Sequence, residues 1–255
     1  MRVKARPYYA PGSLSVAYYD LITSADTRLA GDADAYAALA APGAAMLELG
    51  AGTGRLTADL AGRGFQVTGV DIAAPMLALA QARVATLPAD AQARVVLRQG
   101  DMTALDLKAT FDLVICPFFT LAHLPAGAAW ANTFATAARH LQPGGLAAFH
   151  LPRLEIMRLP GPPPDRAVLD LPIEDGRRLR LYVRERTFRE GINRLDQVLD
   201  YVVLDATGRE LQRSPERLTY YVADPEPFAA KAGLALDRPP IDVGGVGDIV
   251  VFRRL

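Results

Sequence analysis

Glu48-Leu49-Gly50-Ala51-Gly52-Thr53-Gly54-Arg55-Leu56 restricts the possible folds of this chain more than any other stretch. Three glycines alternate with other residues between the apolar run 45–49 and a segment with helical patterning. Such a turn joins a strand to a helix in little space, because glycine accepts backbone angles that other residues resist. The helix that follows offers free N–H groups and the positive end of its dipole, so the turn suits a ligand. The spacing is Gly-x-Gly-x-Gly, and Arg55 stands where a pyrophosphate-binding dinucleotide turn would carry its third glycine. That argues against NAD and FAD. Asp71 closes the next apolar run 21 positions after Gly50, where a carboxylate can accept both hydroxyls of a ribose. Together they point to a nucleoside ligand without pyrophosphate.

The turn opens a regular alternation. Apolar runs at 45–49, 65–70, 94–97, 111–116 and 145–151 read as five strands. Between them, 75–87 has Pro75 in a first helical turn, and 126–141 spaces Trp130, Phe134, Ala138 and Leu141 as one helix face. This is a parallel sheet with crossover helices. After it, Leu159-Pro160-Gly161-Pro162-Pro163-Pro164 can neither continue a helix nor pair in a central strand. Residues 177–203 then read as a hairpin around Glu190–Asn193, followed by a strand at 217–222, a short helix at 225–232 ended by Gly233, and a last strand at 248–252. The expected division is a helical cap at 1–43, a core at 44–158, a linker and antiparallel β insertion at 159–223, and a C-terminal helix and strands at 224–255 that complete the core sheet.

Composition narrows the partners. The 255 residues are 51% hydrophobic, which predicts a soluble globular protein, and 28 basic side chains balance 28 acidic ones. A zero net charge lacks the electrostatic footprint of nucleic-acid binding. No apolar run approaches the roughly 18 residues that span a bilayer, and the basic start of the chain is not followed by the apolar stretch of a leader. Cys116 is the single cysteine, which excludes an internal disulfide and fits a reducing cytoplasm. His123, His140 and His150 lack a ligand-type spacing with carboxylates, so no metal is expected.

Across residues 44–151 the chain resembles the class I S-adenosylmethionine-dependent methyltransferases. Five motifs stand in order: Glu48-x-Gly50-x-Gly52-x-Gly54; Val70-Asp71-Ile72 with Pro75-Met76-Leu77; Gln99-Gly100-Asp101-Met102; Phe111-Asp112-Leu113-Val114; and Leu141-Gln142-Pro143-Gly144-Gly145. The resemblance implies a Rossmann-like α/β sandwich with a mostly parallel seven-stranded sheet and an antiparallel insertion after strand five. It implies S-adenosyl-L-methionine as cofactor and S-adenosyl-L-homocysteine as product. The backbone of Gly50 and Gly52 would meet the methionine end, Asp71 the ribose, and Asp101 the adenine amino group, with the Met102 backbone alongside and Ile72 packed on the ring. Glu48, Gly54, Met76 and Pro117 complete the implied cofactor set. Other readings stand beside these: Asp71 as a helix N-cap, Asp101 as a solvated loop acid, Glu48 as a buried strand carboxylate.

Strand four ends Ile115-Cys116-Pro117-Phe118-Phe119-Thr120, without the Asp/Asn-Pro-Pro-Tyr/Phe signature of methyltransferases that modify base or glutamine nitrogens. Cys116 reads as a core residue. Tyr19-Asp20-Leu21-Ile22, Phe119-Thr120-Leu121-Ala122-His123-Leu124, the strand insertion after strand five and the stretch from Tyr220-Tyr221 to Gly233 are together similar to small-molecule methyltransferases, in particular those acting on amino groups of nucleotide-linked sugars and related small amines. That resemblance implies that Tyr8 or Tyr9 and His123 line the acceptor pocket, with His123 and Tyr9 as the catalytic candidates and Tyr8, Phe118 and Tyr220 toward the acceptor; His123 also reads as a loop histidine packed between Leu121 and Leu124. Arg153, just beyond strand five, and Arg178 are acceptor candidates by position and charge. Arg178, Arg180, Arg184 and Arg186 alternate, which predicts one shared strand face that suits phosphates or simply faces water. The expected activity is N-methylation of a small-molecule amine. O- or C-methylation, or cofactor binding without methyl transfer, are the alternatives; a homodimer stays open, and neither nucleic acid nor membrane is an expected partner.

Overall fold

The computed structural model describes residues 4–26 and 31–255, so residues 1–3 and 27–30 of the expected N-terminal cap lie outside the described residues. In chain order the elements begin β1 (Arg6–Pro7), α1 (Leu14–Ala17), α2 (Tyr19–Ala25), α3 (Asp32–Ala37), β2 (Ala45–Leu49), α4 (Arg55–Gly62), β3 (Gln66–Asp71), α5 (Ala74–Val84), α6 (Ala89–Gln92) and β4 (Val95–Gln99). They continue β5 (Phe111–Cys116), α7 (Ala128–His140), β6 (Leu141–Pro152), α8 (Leu154–Arg158), β7 (Ala167–Pro172), β8 (Arg178–Arg189), β9 (Arg194–Leu204) and β10 (Glu210–Tyr221). The last are α9 (Glu226–Lys231), β11 (Leu234–Leu236), β12 (Ile241–Val243) and β13 (Gly247–Arg254).

The chain divides into two compact units, Ile22–Arg153 with Val222–Leu255, and Met1–Leu21 with Leu154–Tyr221. The first is built on a sheet ordered β11-β13-β6-β5-β2-β3-β4, with β12 also on β13. The pairs among β6, β5, β2, β3 and β4 are parallel, and β13 runs antiparallel to β6, β11 and β12. The sheet is thus mostly parallel, and it has eight strands rather than the expected seven because Ile241–Val243 adds a short pairing on β13. All five strands expected between 44 and 151 are present, and strand order reverses between β2 and β5.

Helices cover both faces, which is why the central strands are apolar without interruption. Alternation along β5 separates the two layers: Leu113 and Ile115 join Met46, Leu56, Leu60 and Tyr36, whereas Val114 and Cys116 join Leu47, Leu49, Trp130 and Phe134. The helix face foreseen at 126–141 is the one α7 buries, with Trp130 and Phe134 at 1% and 0% exposure. Phe134 packs edge-on to Phe252 at 5.7 Å and against Phe149 at 4.3 Å between ring centroids.

The second unit is a five-stranded sheet ordered β1-β10-β9-β8-β7. Its pairings are antiparallel except for the parallel two-residue contact of β1 with β10. The hairpin β8–β9 turns through Glu190–Ile192 and Asn193, whose φ of 43° is left-handed. Here one expectation needs correction. Arg178 pairs with Leu204 and Arg180 with Val202, but a register shift between Val183 and Glu185 brings Arg186 opposite Gln197. A bulge adds one residue and turns the strand over, so Arg186 lies on the other face from Arg178 and Arg180.

Candidate active site

The glycine turn is fixed from below by backbone and from the side by a carboxylate. The N–H groups of Gly50 and Ala51 both donate to the Val70 carbonyl, at 2.8 and 2.9 Å. Asp71 accepts the Gly52 N–H on Oδ2 and the Ala73 N–H on Oδ1, each at 2.8 Å. The N-cap of α5 is Ala73, so Asp71 braces the turn rather than capping the helix. Burial raises the Asp71 pKa, and these backbone N–H groups oppose the shift.

Gly50, Gly52 and Gly54 all hold positive φ, at 81°, 56° and 72°. A Cβ on Gly50 would lie 2.2 Å from Thr120 Cγ2, and one on Gly54 would lie 3.0 Å from the Ala80 Cβ. Thr120 belongs to the loop after β5, where Phe118 and Phe119 also adopt left-handed backbone, at φ 46° and 60°. Two adjacent non-glycine residues in that region are strained, and the surrounding structure must hold them there. Thr120 contributes by donating its hydroxyl to the Pro117 carbonyl at 2.7 Å. The turn after β2 and the loop after β5 thus touch where strand order reverses, the crevice position of an open parallel sheet.

Around this contact the expected residues separate into two groups. Ile72 is 67% exposed, an apolar side chain presented to solvent at the end of β3. Asp101 is exposed in the loop after β4; its Oδ1 accepts both the N–H and the hydroxyl of Thr103 at 2.8 Å, which is the loop-acid arrangement and leaves Oδ2 without a partner among the described residues. Met102 and Phe118 are half-buried, as is His123 in the 3-10 turn Thr120–His123. Burial pushes the His123 ring down to about 4.

The other group points inward. Glu48 is buried, accepts the Thr57 hydroxyl, and is pushed up to about 8 by desolvation, so it is the buried strand carboxylate of the two readings. Met76 is 2% exposed and its Cε lies 3.5 Å from where a Gly52 Cβ would be, placing it under the turn. Pro117 is buried. Cys116 is buried with its thiol pushed up to about 12, which removes it as a nucleophile. Arg153 is engaged by Asp248 through Nε at 2.9 Å and Nη2 at 2.6 Å, with Asp242 also on Nη2.

In the five-stranded unit Arg178 is paired through Nε with Asp170 at 2.6 Å. Tyr8, Tyr9 and Tyr220 are half-buried. Arg186 spends its guanidinium on the Ile156, Met157 and Leu159 carbonyls and on Gln197 Oε1, so none of these arginines stands as an open phosphate clamp.

Two features were not foreseen. Arg55, the residue that broke the dinucleotide spacing, forms a two-pronged pair with buried Asp32, and Thr120 supports Gly50. Arg55 was visible beside the motif; Asp32 sits outside any local pattern. No side-chain periodicity marks a loop threonine that must meet a glycine 70 positions earlier.

The sheet order, the glycine turn and the carboxylate beyond the second core strand are those of a class I methyltransferase. Residues 46–145 match the family described as methyltransferase domain. A relative from Geobacillus sp. (strain WCH70) is 36% identical over 104 residues, 41% of this chain. The chain spans about 40% of the length of the curated relatives it matches. Among solved structures, the CcbJ methyltransferase from Streptomyces caelestis is 24% identical with a TM-score of 0.75, covering 97% of this chain and 98% of that one, and shows the shared fold. CalS10 of Micromonospora echinaspora, described as a SAM-bound amino pentose methyltransferase, is 28% identical with a TM-score of 0.69, covering 94% of this chain and 97% of that one.

Proposed function

We propose that this chain transfers a methyl group from S-adenosylmethionine to the amine of a small molecule. The observation that carries the reading is the braced turn: a Gly-x-Gly-x-Gly backbone in left-handed geometry, tied by Asp71, beside the exposed Ile72 side chain. These residues fit the cofactor. The Gly50 and Gly52 backbone would meet the methionine end, Asp71 supplies ribose acceptors, Ile72 an apolar surface for adenine, and Asp101 Oδ2 an acceptor for its amino group. The similarity to CalS10, an amino pentose methyltransferase, supports an amine as the group methylated.

When bound, the cofactor supplies a methyl group already activated on sulfonium sulfur. The chain's own work is to align the acceptor and keep water out. An amine must lose its ammonium proton before its lone pair can react. With its ring held near 4, His123 is neutral at physiological pH and serves as an acceptor that orients the amine N–H rather than as a store for the proton. Tyr9 is proposed to contact the acceptor on the resemblance alone.

The test is mass spectrometry of small amines, phenols and alcohols incubated with the chain and S-adenosylmethionine. Methylated amine as the dominant product supports the reading; methylation confined to phenols or alcohols overturns the amine assignment, and no methylated product from any acceptor overturns the activity.

A further inference from the structure

The entry into α4 is not fixed in the way a helix start usually is. Its N-cap is Gly54, which has no side chain to offer the first free N–H groups, and its first residue is Arg55, a cation at the positive end of the helix dipole. An arginine there opposes the dipole unless its charge is met. It is met by Asp32, buried at the start of α3: Oδ1 accepts from Arg55 Nη1 at 3.0 Å and Oδ2 accepts from Nη2. Oδ1 also accepts the Ala33 N–H at 2.8 Å, so the carboxylate is itself tied to the start of its own helix.

The base of this strut is rigid. Tyr36 of α3 is buried in one apolar cluster with Leu56 and Leu60 of α4, which packs the helix that carries Asp32 against the helix that carries Arg55. A second arginine acts on the same stretch from α5, where Arg83 donates Nε to the Thr53 carbonyl at 3.0 Å. Thr53, Gly54 and Arg55 are therefore gripped from two sides. The Gly54 N–H donates to the Ala51 carbonyl at 2.9 Å, which passes that constraint back into the glycine turn. Asp71 holds the Gly52 end of the turn, and Arg83 and Asp32 hold the other.

Three positive-φ glycines within residues 50–54 lose more backbone freedom on ordering than other residues would, so the turn depends on such restraints. We infer that Asp32, acting through Arg55, is a positioning residue that holds Gly50–Gly54 in the geometry the cofactor meets. This rests on the cofactor reading above.

The test compares wild type with Arg55→Lys, which keeps the charge but gives up the second prong, and with the doubly neutral Asp32→Asn/Arg55→Gln, which leaves no buried charge unpaired. Amide exchange followed by NMR on the full chain without cofactor should show the Gly52 and Gly54 N–H groups exchanging at least about tenfold faster in the double variant and about threefold faster in Arg55→Lys, with β5 amides unchanged. Calorimetry should show S-adenosylhomocysteine binding about three- to tenfold more weakly. Phe252→Leu, a core change in the α7 layer, separates positioning from general stability: it should lower the unfolding midpoint and leave both readouts at wild-type values. Wild-type exchange at Gly52 and Gly54 in the variants, acceleration spread evenly over β5, or unchanged affinity despite faster exchange overturns the assignment; so does the same pair of changes in Phe252→Leu. Arg55→Lys decides the matter where the double variant does not fold. If the wild-type chain binds no S-adenosylhomocysteine, the proposed function fails, and the exchange rates alone decide whether Asp32 holds the turn.

Discussion

Thr120 holds its γ-methyl 2.2 Å from the point a Cβ on Gly50 would occupy, so the loop after β5 closes against the turn after β2 with no room for a side chain. The threonine cannot simply swing aside, because its hydroxyl is bonded to Pro117 and its branched Cβ limits χ1.

Gly50→Ala should therefore destabilise the chain by roughly 2–4 kcal/mol, the sum of left-handed strain and overpacking. Urea unfolding checks the value. Combining it with Thr120→Ala should recover the steric share and leave the strain, giving a coupling energy of about 1 kcal/mol or more. Strict additivity of the two changes would show that the contact carries no energy.

Glu48 makes stability depend on pH in an unusual direction. Its folded pKa of about 8 lies above the ordinary value of 4.5, so the folded state holds the proton more tightly. Its contribution is complete below pH 4.5 and is lost as pH rises through about 8. Glu48→Gln keeps a neutral acceptor for Thr57 and carries no such slope. Between pH 5 and 8 the variant should gain on wild type by on the order of a few kcal/mol, read from unfolding midpoints. Parallel pH profiles would show that Glu48 is charged in the folded chain.

Removing the ring at the centre of the α7 layer should cost more than any single polar change. Phe134→Ala is expected to destabilise by about 3–5 kcal/mol, because Phe149, Phe228 and Phe252 lose a common neighbour. A loss under about 1 kcal/mol would mean that these rings repack freely.

His123→Asn should lower turnover by a ratio that stays constant from pH 6 to 9, since a ring held near 4 does not titrate there. A ratio that collapses toward the acidic end would mark His123 as a proton-accepting base with a pKa in that window.

Much of this architecture was legible in the sequence because it repeats locally. Alternation marked the five core strands, and the spacing of Trp130, Phe134, Ala138 and Leu141 marked the face of α7. What escaped depended on pairing. β1 has two residues, one of them proline, and β7 alternates at a sheet edge after a proline-rich stretch, so neither has a local signature that survives without β10 and β8. The bulge at Val183 and Glu185 reversed the expected grouping of the arginines, because register belongs to two strands at once. At the site, glycine spacing and the position of Asp71 were readable. The inward turn of Glu48 was not, since a strand carboxylate has the same sequence whether it meets a ligand or Thr57.

The central claim is that the turn braced by Asp71 holds S-adenosylmethionine, and titration calorimetry on the wild-type chain and on Asp71→Asn tests it most directly. Wild type should bind S-adenosylmethionine and S-adenosylhomocysteine in the micromolar range, about −8 kcal/mol. The variant, which loses the carboxylate charge but keeps one oxygen acceptor, should bind at least about tenfold more weakly, as expected when a charge-assisted hydrogen bond is weakened. Thermal unfolding within a few degrees of wild type would show that the turn itself persists. No measurable binding by the wild-type chain, or equal affinity in a folded Asp71→Asn chain, would contradict the account.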